Sequence, residues 1–224
     1  MKDFFPIVTW IILFLNIAVF VFSFENPFVL LKSFINYNIH PKDIIYLYSL
    51  YPNLIIEKPY TLITHMFIHS DWIHLVVNML ILIGVGITLE EKIGSLNFSL
   101  VYFFSGLFSV LFNFLLRIVL NLPNVASMGS SGAIFGILFL GAILLPEKKV
   151  SILFVPILNL LSPYVYFLKF KLEVNLAITM IFYIIFSILM ILLGFTSLSE
   201  ICHLGGMFGG MIYFLFLGKE KKET

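Results

Sequence analysis

Long apolar runs separated by short polar breaks dominate the chain. Cutting it at charges, prolines and glycines leaves six candidate spans, at about 6–23, 73–89, 97–117, 131–145, 174–194 and 202–217. Runs of ~17–25 apolar residues, rising ~1.5 Å per residue as helices, are long enough to cross ~30 Å of hydrocarbon. No stretch alternates apolar and polar residues with the ~10-residue rhythm of a membrane barrel, so the pattern predicts helices. Two stretches depart from it. From Glu25 to Trp72, Phe, Tyr and Trp recur beside Lys and Asp, which predicts a long external loop with short amphipathic helices at the membrane interface. Between 150 and 172 the run is broken by Pro156 and Pro163, and an interfacial or re-entrant segment is expected rather than a seventh span. Met1 to Phe24 has a long apolar run, a basic region of Lys2 alone and no small-residue cleavage site, so a retained first span is expected rather than a signal peptide.

Composition turns this pattern into a class. Hydrophobic residues make up 61% of the chain and charged ones 11%, with mean hydropathy +1.08, the balance of an integral, multi-pass membrane protein whose surroundings are the lipid bilayer. Net charge is +1 and no basic run is interleaved with aromatics, which argues against a nucleic-acid partner. The single cysteine, Cys202, excludes an intramolecular disulfide and a multi-cysteine metal site. With six spans both termini share one side. Lys2, Lys92, Lys148, Lys149, Lys169, Lys171, Lys219, Lys221 and Lys222 fall on that side, against Lys32, Lys42, Lys58 and Arg117 opposite, so both termini are expected in the cytoplasm.

Spans two, four and six then run in one direction, from outside to inside. His203 lies 16 residues before Lys219, Ser131 16 before Glu147 and His74 16 before Glu90. If those charges mark the cytoplasmic boundary, the three polar groups share a depth ~24 Å above it. Asn78 follows His74 by one turn on the same face. Ionisable groups at such depth are costly and face a protein interior or a water-filled cavity. A histidine that only hydrogen-bonds a neighbouring helix would account for any one of them alone. Gly132 with Gly136, Gly205 with Gly209 and Gly206 with Gly210 are each four apart, a spacing that lets helix backbones approach closely.

Serine is a weak nucleophile until a base takes its proton, and a histidine can do so near neutral pH. Gly129-Ser130-Ser131-Gly132 opens an apolar span, so the Ser131 backbone N–H is free at a helix start, where the dipole favours negative charge. His74 and Asn78 can add donors to a developing oxyanion, and Gly129 and Gly132 leave room around the nucleophile.

These residues resemble those of the rhomboid intramembrane serine proteases, from Tyr60 to Phe216. The family's Gly-x-Ser-Gly motif reads as Gly129-Ser130-Ser131-Gly132, its His-x-x-x-Asn motif as His74-Leu75-Val76-Val77-Asn78, and its sixth-span histidine before paired glycines as His203-Leu204-Gly205-Gly206; Glu90 and Gly94 also match. The resemblance implies an all-α membrane protein, a six-helix rhomboid-like bundle forming a single domain over 1–224. It implies a Ser131/His203 dyad without an acidic third member, an oxyanion site from Ser131, His74 and Asn78 stabilised by Gly129, and Gly132, Phe135 and Gly206 in support. It further implies cleavage in or near the transmembrane segments of other membrane proteins, in a prokaryotic cell membrane, with access through movement of span five and the loop before His203. Many members carry Trp-Arg about where this chain has Tyr60-Thr61, and some carry tyrosine where it has Phe135, whose ring can pack on His203 but donates no hydrogen bond.

Several residues invite other readings. Ser130 could be the nucleophile, but motif register and the following glycine favour Ser131. Glu200, three residues before His203, could orient it, although a solvated loop carboxylate is the expected role. His65, His69 and His74 are spaced i, i+4, i+9, but no Glu follows His65 in a His-Glu-x-x-His arrangement, so no metal or other cofactor is expected and His65 and His69 read as loop supports. The competing functions are a catalytically silent rhomboid-like protein that binds transmembrane helices and a small transporter or channel. Retention of Ser131 and His203 argues against the first, and the Gly-x-Ser-Gly turn with no clear internal repeat argues against the second.

Overall fold

The structure, a computed structural model, describes residues 4–24, 27–35, 42–121, 123–151, 173–193 and 198–220. The expected re-entrant segment lies almost wholly outside the described residues, as does the start of the loop before His203. Within them the chain is an all-α membrane bundle: α1 (Ile7–Phe22), α2 (Pro27–Ile35), α3 (Lys42–Tyr48), α4 (Thr61–Thr64), α5 (Trp72–Ile81), α6 (Ile87–Ile93), α7 (Ser95–Leu120), α8 (Ser131–Leu144), α9 (Leu176–Leu192) and α10 (Leu198–Glu220). A short antiparallel pair, β1 (Lys149–Ser151) with β2 (Glu173–Asn175), closes the ends of the segment between α8 and α9.

A π-helical stretch at Leu82–Gly86 joins α5 to α6, making one helix of Trp72–Ile93. This helix, α7 and Ser199–Gly218 are long and apolar enough to cross a membrane alone; α8 and α9 are shorter apolar helices, and α1 is 16 residues long. The outer face of α9 is apolar: Ile178, Ile181, Phe182, Ile185 and Leu192 are all exposed, as expected of a surface whose solvent is lipid rather than water.

Apolar surface cannot drive helix association in lipid, so close backbone contact has to hold the centre together. Methyl groups built on Gly206 and Gly210 of α10 would overlap the carbonyls of Gly132 and Gly136 on α8. On the other side of α10, Gly205 and Gly209 meet Phe108, Ser105 and Ser109 of α7. Ser105 and Ser109 in turn fill the space over Gly136 and Gly132. The glycine spacing read from the sequence thus serves two different neighbours, and the α7 serines are the partners that reading did not identify.

Glu90, the charge used to mark the end of span two, is fully buried. Its Oε1 accepts from the Val8 N–H (3.0 Å) and Ser95 Oγ (2.6 Å), and its Oε2 from the Thr9 N–H (2.7 Å) and Thr9 Oγ1 (2.7 Å). Pro6 precedes α1 and supplies no side-chain cap, so a carboxylate from another helix satisfies the open N–H groups of its first turn. Gly94, at φ +82°, makes the turn from α6 into α7 that brings Ser95 onto the same carboxylate.

Candidate functional site

At the N-terminal end of α5 stands Asp71, whose side chain accepts from the His74 N–H at 2.9 Å and so caps the helix. Ser70 Oγ donates to Asp71 (2.7 Å) and lies 3.2 Å from His74 Nδ1, which leaves the other side of the His74 ring facing the loop that precedes α8. There Gly129 adopts φ +106°, and a methyl on it would stand 2.7 Å from both Cε1 and Nε2 of His74. No side chain larger than hydrogen fits between that ring and the turn. Asn78 is buried and donates from Nδ2 to the His74 carbonyl at 3.0 Å, leaving its second amide hydrogen.

Two residues read as loop supports hold this turn in place. The Gly129 N–H donates to the His65 carbonyl at 2.9 Å, while His65 Nδ1 pairs with the Thr61 carbonyl at 2.8 Å. His69 stands edge-on to His74, 4.9 Å between ring centres, and its Nε2 is 3.4 Å from Ser130 Oγ. Ser130 is buried and turned to His69. Burial pushes His65 down to about 4 and His69 well below its ordinary value, so both rings are neutral at pH 7. Leu50 and Ser127 exchange backbone hydrogen bonds of 3.0 and 2.8 Å, tying the segment between α3 and α4 to the same turn.

Ser131 is the first residue of α8, and its helix has no side-chain cap, so the N–H groups of its first turn are open to a ligand. Phe135 follows one turn later on the same face. Its ring stacks on that of His203 on α10, 4.2 Å between centres and 28° between planes. Ser131 thus sits one turn from a direct contact with His203, on the face that looks toward it. Among the described residues, Ser131 Oγ and His203 form no hydrogen bond; open geometry of this kind is common before substrate binds. Gly132 and Gly206 bring the two backbones together beside the pair.

The sequence reading did not anticipate what stands behind His203. Its Nδ1 lies 2.5 Å from the Tyr183 hydroxyl of α9 and 3.9 Å from Glu200 Oε2. Tyr183 donates to the same Oε2 at 2.9 Å, and Ser187 donates to it at 2.8 Å. Glu200 is consequently not a solvated loop carboxylate. It belongs to the first turn of α10, which begins four residues earlier than the expected span. Phe135, Leu138, Thr179, Met180 and Tyr183 border a narrow apolar crevice between α8 and α9, of about 10 Å³, room for one water-sized group. No group of three or more His, Cys, Asp or Glu among the described residues is placed to hold a metal.

A family model described as the rhomboid domain matches residues 57–220. Inactive RHOMBOID-like protein 8 of Arabidopsis thaliana is 36% identical over 77 residues, 34% of this chain and 20% of that protein. Rhomboid-like protease 3 of Toxoplasma gondii is 33% identical over 76 residues, 34% of this chain and 27% of that protein. Rhomboid protein 1, mitochondrial, of Saccharomyces cerevisiae is 27% identical over 165 residues, 62% of this chain and 45% of that protein. The matched stretches span from a fifth to less than half of these relatives' own lengths. Since the family model extends over well more than half of the chain, the protein belongs to the rhomboid family.

Proposed function

We propose that this rhomboid is an intramembrane serine endopeptidase in which Ser131 is the nucleophile and His203 its base. His203 Nε2 takes the proton of Ser131 Oγ as that oxygen bonds to the carbonyl carbon of a substrate peptide. The resulting oxyanion is received by the Ser131 N–H and the Asn78 amide; His74, whose Nδ1 donates to Ser70, can donate to it from Nε2 only as the doubly protonated ring. The proton on His203 then passes to the departing amine as the C–N bond breaks, leaving an acyl ester on Ser131 that water hydrolyses with His203 again as base. Substrates are transmembrane segments of other membrane proteins. On the same reading both termini face the cytoplasm of a prokaryotic cell.

The observation that carries this reading is the stacking of Phe135 on His203, because Phe135 and Ser131 share a face of α8. Relatives named as a protease and as inactive both match, so membership of the family does not choose between them. Cleavage decides. Purified protein in liposomes is expected to cut a reporter transmembrane segment, and Ser131→Ala and His203→Ala are each expected to abolish cutting with the melting temperature unchanged. Cutting that survives either substitution would refute the assignment.

A further inference from the structure

Glu200 lies close to the dyad, and the proposed chemistry leaves it without a role. It is 16% exposed, and it shares Tyr183 with His203. A phenol has a single proton to give. Glu200 Oε2, already accepting from Ser187, can only accept when ionised, so the Tyr183 proton goes to it. The phenol oxygen is then an acceptor, and the 2.5 Å contact to His203 Nδ1 requires the proton to sit on Nδ1. Nε2 is thereby left unprotonated, as a base acting on Ser131 needs.

We infer that Glu200 is a positioning residue that acts through Tyr183, fixing His203 in the Nδ1–H tautomer and balancing the positive charge His203 gains as Ser131 attacks. The inference rests on the proposed dyad and adds to it a third, indirect member. Two of the three groups that set the imidazole stand on α9, so alignment of the base depends on α9 being docked against α10. Phe135 of α8 covers one face of the same ring, and a bare Nε2 on His203 is compatible with that stacking.

Glu200→Gln keeps the shape and an acceptor oxygen but removes the charge, and Tyr183→Phe breaks the link. Each is expected to lower kcat by ~10- to 100-fold, the range for one charge-assisted hydrogen bond. KM should stay within about twofold and the melting temperature should be unchanged. The double variant should lose no more than either single one, since the two act as one chain. A purely structural role would instead move KM and melting temperature together. Wild-type kcat in Glu200→Gln, or losses that add in the double variant, would overturn the inference. Nitrogen NMR of His203 in the wild-type protein provides a readout that needs no variant to fold: a proton on Nδ1 is expected, and a proton on Nε2 would overturn the network. If the wild-type protein neither cleaves nor reacts at Ser131, the proposed function fails, and the tautomer still decides the hydrogen-bond chain.

Discussion

Gly206→Ala tests how the fold brings the proposed base to the proposed nucleophile. The added methyl would lie against the backbone of the first turn of α8, 2.8 Å from the Gly132 carbonyl carbon and 3.2 Å from its Cα, and inside the carbonyl oxygen. Backbone atoms cannot rotate away. Ordinary contact begins near 3.4 Å, and the oxygen overlap is larger than that of either carbon, so α8 and α10 must separate by on the order of 1 Å. Ser131 is the residue before Gly132, and His203 lies one turn before Gly206, so the separation falls between the two members of the proposed dyad. Misplacement by ~1 Å costs ~10²-fold in rate, and overpacking of this kind costs ~1–3 kcal/mol of stability. Single-turnover cleavage of a reporter in liposomes should therefore slow by about a hundredfold, beside a lowered unfolding midpoint. Gly218→Ala is the control, on the same helix with nothing within 4 Å of the new methyl, and should match wild type in both measurements. Wild-type cleavage by Gly206→Ala, or equal loss from Gly218→Ala, would refute the reasoning.

Glu90→Gln is expected to destabilise the bundle by ~3 kcal/mol, read as a shift of the unfolding midpoint in mixed micelles, because an amide nitrogen would face donors that a carboxylate oxygen now accepts from. Acidification should destabilise through His65. Its value falls from 6.5 unfolded to about 4 folded, so between those pH values the unfolded chain binds the proton and the folded one does not, and stability falls by ~3 kcal/mol as pH drops through that window. His69 acts in the same direction. A His65→Gln variant should show a shallower loss across the window, and an equal slope would count against this account.

The sequence was most informative where one physical cause dominates. Runs of apolar residues have no stable place except lipid or a core, so an all-α membrane bundle was legible, and three of its helices among the described residues are long and apolar enough to cross a membrane alone. Pairs of glycines four apart located the α8–α10 crossing, because few other residues permit such approach. Charge was a poorer guide. Glu90 reads as a boundary marker and Glu200 as a loop residue, since a carboxylate in a sequence does not reveal what donors the fold will bring to it. Tyr183 and Ser187, one turn apart, had the spacing of a shared face, but in an almost wholly apolar helix that spacing does not say which face meets a neighbour. Ser105 and Ser109 were silent for the same reason. Ser130 and Ser131 are adjacent and chemically alike; only the fold shows Ser130 turned to His69 and Ser131 opening the helix toward α10.

Covalent labelling decides whether Ser131 is a nucleophile activated by His203. Purified wild-type protein treated with a fluorophosphonate should carry one adduct, which peptide mass spectrometry should place on Ser131. The adduct should persist in Ser130→Ala and be lost in Ser131→Ala and His203→Ala. An adduct that remains without Ser131, or forms equally without His203, would contradict the account.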